Sequence, residues 1–223
     1  MHRLIEGVAK FKREVFPEKE DLFQELAGGQ NPEALLITCA DSRVVPSLIM
    51  QCGPGDLFIC RNAGNMVPPY GEVHGGVSAT IEYAVCALNV EHIIVCGHSN
   101  CGAMQGILHP EKVAEMPTVK TWLNHGEAAR RVVRENYPNL SEEAALKAIT
   151  QENVVAQLAN LRTHPSVASR LASGKISLHG WVYDIATSDV RAWDSHKSQF
   201  VPIEEYCLTT AAPRPRVFTT AAD

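Results

Sequence analysis

The sequence predicts an α/β protein: a single domain in which helices flank a mostly parallel central β-sheet. Three short apolar runs without alternation, at 34–39, 56–61 and 92–97, are typical of strands buried on both faces of a parallel sheet. Helix-like segments alternate with these runs, and strand–helix–strand alternation predicts right-handed βαβ units. The length of 223 residues suits one domain with a core large enough to fold without disulfide bonds.

The chain is expected to divide into an arm, a domain and a tail. The arm, residues 1–30, predicts two amphipathic helices broken near Pro17, because apolar residues recur there at helical spacing. Residues 31–207 form the expected α/β domain, which would contain the functional site. The tail, residues 208–223, has few apolar residues and contains two prolines, so we expect an extended or partly disordered segment.

Inside the predicted domain, the alternation of elements continues beyond the first strands. A helix-like stretch at 77–89 joins the second apolar run to the third. Residues 117–172 are rich in helix formers, and Ser141 followed by two glutamates has the form of a helix start. Two further strands are expected at 175–183 and 190–193.

Composition and charge exclude several classes of protein. Lys and Arg number 20 and Asp and Glu number 25, so the net charge is 20 − 25 = −5, which argues against nucleic acid as a partner. No apolar stretch approaches the roughly 18 residues that span a membrane, and charges interrupt the N-terminal segment where a signal peptide would be apolar. We therefore expect a cytoplasmic protein whose seven cysteines are thiols or metal ligands rather than disulfides.

Reactive side chains follow two of the predicted strands at the point where each strand ends. Cys39, Asp41 and Arg43 follow the first apolar run, and His98 and Cys101 follow the third. In an open parallel sheet, ligand sites form beyond the carboxyl ends of the strands. We therefore expect the thiols, the imidazole and the carboxylate of these segments to meet there.

This set of side chains has the composition of a zinc site, because zinc takes thiolate, imidazole and carboxylate ligands. His98 and Cys101 are three residues apart, so one helical turn presents both on the same face. Two thiolates favour zinc over magnesium, calcium or manganese. Taken singly, a cysteine at a strand end is more often a core residue, and a glycine-flanked loop such as Gly97–Gly102 could cradle a phosphate, although it lacks a P-loop ending. The combination favours the metal.

The spacing of Asp41 and Arg43 allows two states of such a site. Arg43 could hold Asp41 in a bidentate salt bridge, which would leave Cys39, His98 and Cys101 as the protein ligands and a fourth position open. Without that salt bridge, the carboxylate of Asp41 would itself close the site. Catalytic zinc sites keep an open position, whereas structural ones do not.

The motifs around these residues resemble those of β-class carbonic anhydrases over about residues 2–205. The segments that carry the resemblance are Cys-Ala-Asp-Ser-Arg at 39–43, Arg-Asn-Ala-Gly-Asn at 61–65, Gly-His-Ser-Asn-Cys-Gly-Ala at 97–103 and His-Gly-Trp-Val-Tyr-Asp at 179–184. The chain resembles above all bacterial, plant-like members, including the enzyme encoded beside cyanase. The resemblance implies a zinc-dependent lyase that reversibly hydrates carbon dioxide to bicarbonate and a proton by zinc-bound hydroxide.

The resemblance also implies roles for individual residues. Cys39, His98 and Cys101 match the family's zinc ligands, and Asp41 and Arg43 match its catalytic pair, with Asp41 a ligand only in a closed state. Four further positions match substrate-binding residues that line the pocket, partly supplied by a second subunit in the family: Gln30, Phe58, Tyr83 and Gly102. The family implies a dimer or higher homo-oligomer in which N-terminal helices pack on a partner subunit.

One departure from the family bears on regulation. A second subgroup closes its site and binds inhibitory bicarbonate beside a Trp, an Arg and a Tyr. Arg61 and Tyr183 match two of these, but Leu36 stands at the position of the Trp, three residues before Cys39. We therefore predict an open resting site without that regulation.

Two other functions stay open at this point. The same fold and ligand set occurs in hydrolases of carbonyl sulfide or carbon disulfide, which differ in pocket access. A zinc-stabilised binding protein with a dead site is the other alternative, although a purely structural site has no use for the Asp41–Arg43 pair.

Overall fold

The computed structural model describes residues 1–71 and 75–209, and a six-stranded sheet forms its centre. The strands are β1 Ala34–Cys39, β2 Leu57–Asn62, β3 His92–His98, β4 Ser177–Tyr183, β5 Val190–Asp194 and β6 Gln199–Pro202. They lie in the order β2-β1-β3-β4-β5-β6; β1 to β4 are parallel and β5 and β6 antiparallel. The predicted mostly parallel sheet is therefore confirmed.

Ten α-helices within the described residues connect and cover the strands. They are α1 His2–Lys10, α2 Glu20–Ala27, α3 Pro46–Met50, α4 Gly76–Cys86, α5 Gly102–Leu108, α6 Pro117–Leu123, α7 Glu127–Asn136, α8 Glu142–Leu161, α9 Pro165–Ala172 and α10 Ile203–Thr209. Three of them begin on a proline, whose missing N–H has no helical partner at that position. The Ser141 hydroxyl caps α8 by accepting a hydrogen bond from the Ala144 N–H at 3.3 Å, as the sequence predicts.

The long helix α8 packs directly on β3 and β4, next to the point where β3 ends. Two glycines allow this close approach: a Cβ added at Gly180 would lie 2.8 Å from Val154 Cγ1, and one at Gly97 would lie 3.0 Å from Val154 Cγ2. Isoleucine, leucine and valine side chains of the sheet and of α8 fill the space between them. Since Gly97 immediately precedes His98, this packing fixes the carboxyl end of β3.

The N-terminal arm differs from the rest of the chain in its exposure. Helix α1 buries no residue, and Leu4, Ile5 and Val8 are 60%, 63% and 69% exposed. The predicted break near Pro17 is present, but a single π-turn over Phe11–Val15 continues α1 before it. A helix with an apolar face left in water is marginal on its own, so this face needs another surface.

Several boundaries differ from the sequence-based expectations. The short strand β6 was not predicted, because its four residues carry too little pattern to separate from a turn. Helix α10 ends at Thr209 and so takes in the first residues of the predicted tail, 208–223; the rest of that tail, 210–223, lies outside the described residues. Among the residues described, no helix combines the length and the apolar character needed to cross a bilayer.

Candidate active site

Three potential metal ligands converge at the carboxyl ends of β1 and β3, which are neighbours in the sheet. Cys39 is the last residue of β1, His98 is the last of β3, and Cys101 directly precedes α5. Their ligand atoms all lie within 4.8 Å of one another, and the two sulfurs are 3.9 Å apart. All three residues are buried, so the topology brings these predicted ligands together as expected.

The imidazole of His98 is oriented for metal binding. Its Nδ1 lies 2.9 Å from the Ser99 carbonyl oxygen, which can only accept a hydrogen bond, so in the neutral ring Nδ1 carries the proton. Nε2 then presents its lone pair to the two sulfurs. It is buried and lacks a hydrogen-bond partner among the described residues. Buried nitrogen atoms normally have a partner, so this state is the one expected of a nitrogen that binds a metal ion.

In the metal-free pair one thiol ionises readily and the other keeps its proton. A hydrogen bond from Cys101 is the main cause that lowers the pKa of Cys39, and the Gly64 N–H, which lies 3.4 Å from Sγ, adds to it. The charge on Cys39 and burial in turn raise the pKa of Cys101. A cation between the sulfurs would stabilise both as thiolates, so the donor set of two sulfurs and one imidazole nitrogen fits a metal ion.

Asp41 and Arg43 form a bidentate ion pair beside this cluster. Arg43 Nε donates to Asp41 Oδ1 at 2.9 Å and Nη2 donates to Oδ2 at 2.7 Å, and the Arg43 backbone N–H also donates to Oδ1. These hydrogen bonds hold the pKa of Asp41 well below its usual range. Asp41 Oδ2 lies 3.8 Å from His98 Nε2, so the carboxylate borders the cluster without joining it.

Arg61 holds the backbone that carries the site, a role that the sequence did not suggest. Its guanidinium donates to the carbonyl oxygens of Cys39, Asp41 and Val44 at 3.0, 2.7 and 2.9 Å. In the sheet Arg61 stands opposite Thr38, near the end of the edge strand β2, so its long side chain reaches the turn that follows β1. Arg61, on β2, therefore holds the turn between β1 and α3 in place by three hydrogen bonds.

The four predicted substrate-binding residues do not all reach the cluster in one chain. Gly102 begins α5 beside Cys101, and a Cβ added there would meet nothing within 4 Å. Phe58 stands four residues before Asn62, the register partner of Cys39, which is roughly 13 Å along the strand. The Tyr83 ring lies 5.9 Å from that of Phe58, and Gln30 precedes β1 at the opposite edge of the sheet from the cluster.

The arrangement of fold and site defines an α/β protein with a sulfur–nitrogen metal centre at the carboxyl edge of a parallel sheet, flanked by a fixed carboxylate. Comparison with known proteins gives the family. The model of the carbonic anhydrase family matches residues 34–190. Carbonic anhydrase 1 of Escherichia coli O157:H7 is 52% identical over 213 residues, covering 96% of this chain and 97% of that protein. A carbonic anhydrase of Pseudomonas aeruginosa is 50% identical over 206 residues, covering 92% and 93%.

Solved structures agree with the sequence comparison. The β-carbonic anhydrase CcaA is 49% identical, with a TM-score of 0.89 over 91% of this chain and 98% of that one. A Coccomyxa β-carbonic anhydrase in complex with acetazolamide is 30% identical, with a TM-score of 0.77 over 94% and 98%. The chain therefore belongs to the carbonic anhydrase family, and to its β class.

Proposed function

We propose that this enzyme reversibly hydrates carbon dioxide to bicarbonate and a proton, with a zinc ion held by Cys39, His98 and Cys101. The observation that carries the proposal is the buried cluster of two sulfurs and one nitrogen with ligand atoms within 4.8 Å, whose donor chemistry suits zinc above harder cations. When bound, zinc supplies Lewis acidity, which makes water a nucleophile near neutral pH.

In this proposal the chain's own residues orient the reacting water. Asp41 borders the cluster, and its low pKa keeps it charged, so it accepts a hydrogen bond from the water and does not donate one. Arg43 engages both carboxylate oxygens, which fixes the direction in which the remaining lone pairs point. With this pair intact, the carboxylate of Asp41 would be held away from a bound zinc, which would leave one position for the water.

We further propose that a second copy of the chain completes the substrate pocket. Gln30, Phe58 and Tyr83 lie away from the cluster of their own chain, and Tyr83 is 51% exposed. The apolar face of α1 is likewise uncovered, and two related β-carbonic anhydrases of Sordaria macrospora, represented by a structure at 32% identity and a TM-score of 0.78, are described as tetrameric. A homo-oligomer would cover this face and bring the three side chains to the neighbouring cluster.

Carbon dioxide is favoured over carbonyl sulfide and carbon disulfide as the substrate, because the relatives at about 50% identity are carbonic anhydrases. The free thiols of Cys39 and Cys101 favour a reducing compartment, and we place the enzyme in the cytoplasm on that ground.

The test is a stopped-flow assay of the purified zinc-loaded enzyme with carbon dioxide and, separately, with carbonyl sulfide. We expect carbon dioxide hydration far above the buffer rate and no comparable hydrolysis of carbonyl sulfide. Hydrolysis of carbonyl sulfide without carbon dioxide hydration would overturn the proposed substrate. Inactivity with both gases in protein that carries zinc would favour a dead site.

A further inference from the structure

The loop Ser99–Asn100 contributes no side chain to the metal cluster, yet it is bound to both halves of the site. The Ser99 carbonyl oxygen accepts from His98 Nδ1 at 2.9 Å. The next carbonyl, that of Asn100, accepts from Arg43 Nη2 at 3.1 Å, and the same Nη2 donates to Asp41. A small movement of this loop would therefore turn the imidazole and shift the ion pair together.

This loop is neither relaxed nor tightly packed. Asn100 has φ +54°, in the left-handed region that side chains other than glycine adopt at some cost. A cavity of about 330 Å³ borders both loop residues and separates them from Lys147 and Thr150 of α8. Side-chain packing thus leaves the loop room to move, and its hydrogen bonds must hold it in place.

Two further hydrogen bonds of Ser99 tie the loop to the end of β4 and the turn after it. The Ser99 N–H donates to the Tyr183 carbonyl oxygen at 2.9 Å, and its hydroxyl accepts from the Ile185 N–H at 2.9 Å. The Asp184 carboxylate accepts the N–H groups of Ala186 and Thr187 at 2.9 and 3.0 Å, so hydrogen bonds also hold the turn to which Ser99 is bonded.

We propose that Ser99 is a positioning residue for the hydration reaction: its hydroxyl anchors the loop to the β4 turn so that His98 and Arg43 keep one geometry. The inference rests on the proposed function. Its physical basis is that a carbonyl which accepts from the second nitrogen of a ligand histidine fixes the orientation of the ring, and that such partners strongly affect metal affinity. Here one anchored loop fixes the orientation of the His98 ring and also that of the Asp41–Arg43 ion pair.

The experiment compares Ser99→Ala and Ser99→Thr with the wild-type enzyme. Zinc affinity is measured by competition with a chromophoric chelator, and kcat and KM by stopped flow. We expect Ser99→Ala to weaken zinc binding by about 10- to 100-fold and to lower kcat more than it raises KM. Ser99→Thr, which keeps the hydroxyl, restores both. Ser173→Ala, which removes a comparable hydroxyl bond at the end of α9, leaves both unchanged.

Two results would overturn the proposal: wild-type zinc affinity and kcat in Ser99→Ala, or a loss of thermal stability in that variant without any change in them. If Ser99→Ala does not fold, Ser99→Cys tests the same anchor, because a thiol is a weaker acceptor than the hydroxyl for the Ile185 N–H. We expect a smaller change in the same direction, and no change would contradict the proposal. A wild-type enzyme that binds zinc but does not hydrate carbon dioxide would refute the proposed function instead, while the zinc affinities would still decide the role of Ser99.

Discussion

Arg43 holds Asp41 by two parallel hydrogen bonds, Nε to Oδ1 at 2.9 Å and Nη2 to Oδ2 at 2.7 Å, at the edge of the sulfur–nitrogen cluster. Both oxygens of the carboxylate are engaged, and Oδ2 stands 3.8 Å from His98 Nε2. A carboxylate bound in this way is fixed in direction and charge, but it is not a ligand of the cluster. The pair is therefore the feature that separates an open catalytic site from a closed one.

Asp41→Asn should separate metal binding from turnover. Cys39, His98 and Cys101 are untouched by the change, so zinc stays bound at one per chain, whereas an amide cannot accept both hydrogen bonds from Arg43. We expect kcat to fall by about 100-fold or more, in the range of lost acid–base or orienting groups. Metal analysis and stopped-flow hydration of the same sample check this. Full activity in the variant would show that Asp41 does not orient the water.

Mixed oligomers should reveal which chain supplies the substrate pocket. Cys39→Ser lacks a thiolate ligand and Gln30→Ala lacks a side chain of the proposed substrate pocket, so each variant alone should have little activity. In a mixed oligomer, the intact cluster of the Gln30→Ala chain would meet the intact Gln30 of the other chain. We expect co-expression to restore a substantial fraction of the wild-type rate. Complexes that are shown to be mixed yet stay inactive would argue against a shared pocket.

Bicarbonate should not regulate this enzyme cooperatively. The Arg61 guanidinium is occupied by three backbone carbonyls, and Leu36 of β1 is buried in an apolar cluster. Neither is arranged to hold an anion that could pull Asp41 away from Arg43. Initial dehydration rates measured against bicarbonate concentration should follow a hyperbola. A sigmoidal curve, or a structure with bicarbonate next to Arg61 and Asp41 on the metal, would contradict the open resting site.

The His179 imidazole should make the fold sensitive to acid. It lies between His92 and Tyr206, with Nε2 3.1 Å from His92 Nδ1 and Nδ1 2.9 Å from the Tyr206 hydroxyl. Burial, with a smaller effect of His92, lowers the pKa of His179 from 6.5 to about 4. Because the ring charges more readily in the unfolded chain, this contribution to stability is present above pH 6.5 and is lost as the pH falls towards 4.

The size of this effect is up to about 3 kcal/mol of unfolding free energy. It is measured by urea unfolding at a series of pH values. His179→Gln, which does not titrate, should show a shallower decline between pH 6.5 and 4 than the wild-type protein. His2→Gln, on the exposed face of α1, is the matched control and should decline as the wild type does. Equal slopes for all three proteins would refute the assignment.

The sequence was most informative where chemistry and periodicity coincide. Continuous apolar runs located β1 and β3 to within a residue. Because parallel strands end at one edge of the sheet, the segments at their ends predicted a site that contains Cys39, Asp41, His98 and Cys101.

The features that the sequence did not reveal depend on contacts between distant segments. The carbonyl clamp of Arg61 and the anchoring of Ser99 on β4 involve backbone groups, which leave no mark on residue identity. Cys86 has apolar neighbours in the sequence, yet it lies on the exposed side of α4, because a helix turns successive residues to different faces.

If one zinc ion on Cys39, His98 and Cys101 is required for carbon dioxide hydration, a zinc titration of metal-free enzyme should show it. Protein stripped with a chelator is titrated with zinc while hydration is followed by stopped flow, with Cys39→Ser as the ligand variant and Cys207→Ser, an exposed thiol, as its control. We expect no activity without metal, a linear rise that ends at one zinc per chain in the wild type and in Cys207→Ser, and no recovery in Cys39→Ser. Hydration by metal-free protein, or full recovery in Cys39→Ser, would contradict that requirement.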